Sequence, residues 1–197
     1  MFLKTVSEGD ATGAIAEIYA RQKAQLGFVM STAACMTPRP DLLPVYMDFV
    51  SKMRGGFSLG ERGWQLITFI AAKHVPSTYC SMVYGKQLID VLGSKEKVLA
   101  VQRDFRNAGL APKDVAMLAY AEKVVLDASN ITQADVDQVR AAGFTDQEIC
   151  DIAFCAAFRC FISRFFDAMG AGPEPEFIDA DETFRAAMTV GRAPGGA

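Results

Sequence analysis

Cys80 is the residue with the clearest physical case for chemistry in this chain of 197 residues. Pro76, Ser77 and Thr78 open a predicted helix with Ser77 as its N-cap, so Cys80 falls at the third helical position. Free backbone N–H groups and the positive end of the macrodipole lie there. Both stabilise a thiolate, and the expected thiol pKa is below that of an exposed cysteine. The competing reading is a buried small hydrophobe, the usual state of free cysteine. Burial against Trp64, Tyr79 or Tyr84 penalises the anion, so exposure of the sulfur decides between the two. Tyr84 follows Cys80 by four residues and shares its helix face, as a hydrogen-bond donor.

His74 is the single histidine, which excludes multi-histidine zinc sites and any chemistry needing two imidazoles. It lies in the connection before Cys80, where it is either the base of a Cys–His pair or a cation at a helix C-terminus. Cys150, Cys155 and Cys160 follow in steps of five, about 140° apart around a helix, and cannot face one ion. They and Cys35 read as core filler. Five cysteines, an odd number without extracellular context, predict free thiols rather than a disulfide framework. No metal and no cofactor is expected.

The elements that must position these groups are helical, because capping signals recur and period-two alternation is nearly absent. Helices are predicted over Ala11–Leu26, with Ile15, Ile18, Tyr19 and Gln22 on one face and a stop at Gly27, and over Asp41–Met53. Ser58 with Glu61 reads as a capping box opening a helix to about Lys73, followed by the Cys80 helix ending at Gly93. Ser94 caps a helix to about Asn107, and Pro112 begins one ending near Asp127. Thr132 with Asp135, and Thr145 with Glu148, are further capping boxes. The last of these opens Asp146–Met169, apolar on nearly every side, which predicts the central core helix or a subunit interface. From Gly170 the chain turns to Pro, Glu and Gly, read as an extended arm with a frayed tail.

This length predicts one domain, an all-α fold with N-terminal helices over 1–56, a core over 57–170 and an arm over 171–197. Twenty Lys and Arg against 23 Asp and Glu give a net charge of −3, without the basic excess a phosphate backbone demands. No nucleic-acid partner is expected. Asp151, Arg159, Arg164 and Asp167 interrupt the longest apolar stretch, so no membrane span is expected, and MFLKTVSEGD lacks a signal-peptide run. The expected location is the cytoplasm.

The segment SLGERGWQLITFIAAKHVPSTYCSMVYGKQL, Ser58–Leu88, resembles the core of the alkylhydroperoxidase D and carboxymuconolactone decarboxylase superfamily, in its peroxidase-related branch. AIAEIYARQKAQLGFV and MTPRPDLLPVYMDF upstream are similar to the helices preceding that core, and the stretch from Val139 to Phe177 is similar to its closing helices. The resemblance implies an AhpD-like helical bundle, a trimer or hexamer, a small-molecule substrate and a thiol reductant. That family works with a glutamate, a Cys-x-x-Cys twelve residues later, and a histidine four residues beyond the second cysteine. At those positions this chain has Gln65, Ser77, Cys80 and Tyr84. Only Cys80 is kept. Ser77 cannot form the resolving disulfide, and neither an amide nor a phenol relays protons near neutral pH. The implied activity is antioxidant reduction of hydroperoxides through one cysteine, with an external thiol resolving it. The alternatives are a decarboxylase-like lyase or isomerase using Tyr84 and His74, or a binding protein that does no chemistry.

Overall fold

The computed structural model describes residues 1–195. Among them are ten α-helices: α1 Gly13–Leu26, α2 Ser31–Ala34, α3 Leu42–Gly55, α4 Gly60–His74, α5 Thr78–Leu92, α6 Lys95–Asp104, α7 Pro112–Asp127, α8 Gln133–Ala141, α9 Asp146–Ala168 and α10 Glu182–Met188. The chain is a single all-α domain. None of these helices is long and apolar enough to cross a membrane.

The predicted stops and starts are built as their chemistry dictates. Gly27 and Gly93 end α1 and α5 in the left-handed conformation, at φ +87° each. The Thr132–Asp135 and Thr145–Glu148 boxes both form, and Ser94 Oγ accepts from the Lys97 N–H. The Ser58–Glu61 box does not. Gly60, at φ +63°, turns the chain so that Leu59 becomes the N-cap. Ser58 instead donates its N–H and hydroxyl to Asp151 of α9, at 2.8 and 2.6 Å, and Glu61 pairs with Arg54.

The central place belongs to α4 rather than to α9. Every residue from Gly63 to Ala72 is buried, and α4 packs against α5, α7 and α9. Its charge-bearing residues stand only at its ends, Glu61 and Arg62 against Lys73 and His74, so the middle carries no charged side chain into the core. In contrast α9 leaves Phe154 and Phe161 exposed, at 47% and 65%.

Residues 171–195 differ from the expected frayed arm. Asp181 caps α10 through the Phe184 N–H, and Phe184 and Met188 are buried where α10 packs on α5 and α6. Gly85 permits that approach, because a Cβ there would lie 2.5 Å from Met188 Sδ. Gly191 then donates to Thr78 Oγ1 at 2.9 Å, against the start of α5. The last two positions of the expected tail, 196–197, lie outside the described residues.

Candidate active site

A cavity of about 300 Å³ opens between α1, α3, α5 and α9. Tyr79, Cys80, Val83 and Tyr84 reach it from α5, Tyr46, Met47, Val50 and Arg54 from α3, and Arg159 and Phe166 from α9. Exposed Leu26, Arg54 and Gln87 mark its mouth, and Cys80 lies deep inside at 1% exposure. The spacing of α5 puts Cys80 and Tyr84 on one face, as their separation of four residues requires. Its walls are aromatic: Tyr46 packs on Phe158 and Phe166, and Tyr79 on Phe166.

The buried charged group at this cavity is Arg159, which from sequence stands only as an interruption of an apolar run. It is 5% exposed, and its guanidinium lies over Trp64, Tyr84 and Phe158 at 4.8, 5.0 and 5.3 Å from the ring centroids. Nη2 donates to the Tyr84 hydroxyl at 2.8 Å, while Nε has no partner. Trp64 Nε1 also donates to Tyr84, at 3.3 Å. With two donors already on its oxygen, Tyr84 has its own O–H free to donate. Among the described residues no carboxylate pairs with Arg159. A cation set among the phenylalanines of an apolar helix was the available signal, since an arginine is almost never fully buried unless it is paired.

Cys80 Sγ lies 3.3 Å from Ser163 Oγ, and Ser163 is fully buried. Burial pushes the Cys80 thiol up, against the lowering effects of Arg159, Ser163 and Ser77. The expected lowering is therefore reversed, because a sulfur closed off from water loses more by desolvation than a helix terminus returns. Ser77 does occupy the N-cap position, but its side chain makes no cap hydrogen bond. Its hydroxyl is fully buried and meets no hydrogen-bond geometry, although it lies close enough to Cys80 and Asp167 to favour both anions.

Of the residues singled out from sequence, Cys80 and Tyr84 meet in the cavity, and Ser77 stands behind Cys80 without lining it. Gln65 does not line it either. Its Nε2 donates to Glu61 at 3.2 Å and to Gln87 at 3.4 Å, joining the cavity mouth from the α4 side. His74 is elsewhere: Nε2 lies 2.8 Å from Glu122 of α7, which also holds Arg106. As the last residue of α4 it points to α7, so no Cys–His pair forms. Cys150 is exposed, Cys155 buried and Cys160 between, on separate faces. Among the described residues no group of three His, Cys, Asp or Glu side chains could hold a metal ion.

No protein-family model and no curated protein sequence matches this chain. Solved structures do. An alkylhydroperoxidase AhpD core, an uncharacterized peroxidase-related protein from Ralstonia eutropha JMP134, superposes with a TM-score of 0.80 at 22% identity, over 89% of this chain and 93% of its own. A peroxidase-related protein from Silicibacter sp. TM1040 gives 0.77 at 20% identity, over 88% and 93%. The debrominase Bmp8, as a cysteine-to-alanine variant in complex with 2,3,4-tribromopyrrole, gives 0.74 at 17% identity, over 95% and 96%. At such identities the likeness is one of architecture, and this chain has the all-helical fold of the alkylhydroperoxidase AhpD core.

Proposed function

We propose that this protein is a thiol-dependent oxidoreductase that reduces small organic hydroperoxides through Cys80. The observation that carries the reading is the meeting of Cys80, Tyr84 and Arg159 in one aromatic cavity. The cavity favours an organic peroxide over hydrogen peroxide, because rings, methionines and aliphatic side chains make up most of its lining.

The Cys80 thiolate attacks the distal peroxide oxygen. An S–O bond forms, the O–O bond breaks, and sulfur becomes a sulfenic acid. Arg159 favours the anionic nucleophile, and the Tyr84 O–H donates a hydrogen bond to the departing alkoxide, which takes its proton from solvent. The thiol gives its proton up to solvent, so thiol and hydroperoxide become sulfenic acid and alcohol. Ser77 offers no second sulfur. An external thiol condenses with the sulfenic acid and releases water, and a second one frees Cys80 by exchange.

The free state of all five cysteines fits a reducing, cytoplasmic setting. Exposed Val45, Phe49, Phe154 and Phe161 on α3 and α9, where Phe49 packs against Phe154, fit assembly into a homo-oligomer. Light scattering on the purified chain reads that state directly. For the chemistry, the protein is exposed to cumene hydroperoxide with dimedone, a sulfenic-acid trap, and mapped by mass spectrometry. The adduct is expected on Cys80, with hydroperoxide loss in the presence of dithiothreitol. A folded protein with unmodified Cys80, and loss no faster than in Cys80→Ser, overturns the reading.

A second reading is favoured by the free Tyr84 hydroxyl: a lyase or isomerase in the same cavity, with Tyr84 as proton donor. Bmp8, whose ligand is a bromopyrrole, supports the same architecture holding a flat ring. Turnover that survives Cys80→Ser separates this reading from the first.

A further inference from the structure

The cavity holds two arginines and no carboxylate among its lining residues. Arg54 at the mouth is already paired with Glu61. Among the described residues Arg159 has no acidic partner, and its guanidinium is buried with Nε lacking any hydrogen bond. An arginine cannot shed its proton, so it stays charged there. Aromatic faces and one phenol compensate a buried cation only in part. The nearby acids are committed elsewhere. Glu174 accepts from the Ser31 N–H and from Tyr79 OH, the latter at 3.4 Å, and Asp167 lies behind Ser77 towards Arg192. Nor does the resting cysteine supply the missing charge, since burial keeps the thiol raised.

We propose that Arg159 is the anchor for an anionic substrate, and that the cavity takes a small planar organic acid, its carboxylate on the guanidinium and its ring among Tyr46, Tyr79 and Phe166. This rests on the oxidoreductase reading for the identity of the site and names the class of molecule that enters it. The five N–H donors of arginine form a planar fork that suits a carboxylate, and here Tyr84 takes one of them. A cavity of about 300 Å³ fits one substituted ring, and the rings around it match a flat partner. The bound carboxylate then sits beside Tyr84, one helical turn from Cys80, so the reacting part of the molecule is directed at the sulfur.

Binding is measured by titration calorimetry on Cys80→Ser protein, with benzoate and methyl benzoate as probes, so that no thiol chemistry enters. Quenching of Trp64, the single tryptophan, is the second readout, because the guanidinium lies on its ring. Benzoate is expected to bind at one site at least tenfold more tightly than its ester. Arg159→Met is expected to erase that preference while the ester still binds, and Arg159→Lys to keep part of it. Equal affinity for acid and ester, no binding of benzoate to folded protein, or a preference that survives Arg159→Met overturns the proposal. The acid–ester comparison needs no arginine variant. Dimedone labelling of wild-type Cys80 reports separately on the redox reading, so the two fail in different experiments.

Discussion

Two arginines in this molecule stand in opposite electrostatic situations. Arg106 and His74 converge on Glu122, with the acid 17% exposed and held by both. Arg159 is more deeply buried and meets only rings, a phenol and the neighbourhood of two thiols. In the first cluster a cation finds its acid, the charges cancel, and the ties join α4 and α7. In the second the cation is left over, which costs stability unless a ligand or an ionised thiol uses it. The chain thus spends its only imidazole on holding helices together. Its chemistry is concentrated where charge is unbalanced.

The largest effect expected is on turnover. Cys80→Ser should lower hydroperoxide reduction by about a thousandfold or more, as loss of a nucleophile does, while the melting temperature barely moves. Activity retained at a tenth of wild type would remove Cys80 from the chemistry.

Next comes a crossed pair of variants. Arg159→Met should slow Cys80 alkylation roughly tenfold, because an adjacent cation is worth one or more pKa units to the thiolate. The fold should hold or gain stability, since an apolar side chain replaces an unpaired buried charge. Glu122→Gln should do the reverse, leaving turnover alone and costing about 1 kcal/mol, or roughly 2–4 °C in melting temperature for a chain of this size. If both variants lower stability and neither touches alkylation, the contrast between the clusters is false.

The Glu122 cluster also has a pH signature. Burial raises the Glu122 carboxyl, but Arg106 and His74 more than reverse this and hold it below its ordinary 4.5. A carboxyl depressed on folding stabilises the protein above its unfolded value, and that contribution fades as pH falls through the folded value. The stability advantage of wild type over Glu122→Gln should therefore shrink as pH falls below the ordinary carboxyl value of 4.5, as read by urea midpoints across pH. A difference that does not change with falling pH would contradict the pairing.

The smallest effect is a ranking of thiols. Exposed Cys150 should react with iodoacetamide first, half-buried Cys160 next, and Cys80 after them, through its cavity. Cys155 and Cys35, pushed by burial to about 11 and about 12, should stay unlabelled in the native protein. Labelling of Cys35 before Cys80 would show that the cavity is closed to small molecules.

Much of the helical framework was legible because local rules write it. The glycines at 27 and 93, Pro112, and the boxes at Thr132 and Thr145 act within four residues of themselves. The Ser58 box failed because Asp151, 93 residues away, offered both Ser58 donors an acceptor. The short C-terminal helix was missed because Pro, Glu and Gly around it dominate composition, while only Phe184 and Met188 carry its packing signal.

From the order of residues alone came the all-helical class, the helix that delivers Cys80 in its first turn, and Tyr84 on the same face, since each follows from neighbours along one element. Tertiary structure decided what those residues experience. It buried the sulfur, so desolvation overrode the helix terminus. It also took His74 to Glu122, and brought Arg159 from 79 positions away to the cysteine. Burial and charge proximity depend on how helices pack, and no local pattern in a single chain encodes the distance between α5 and α9.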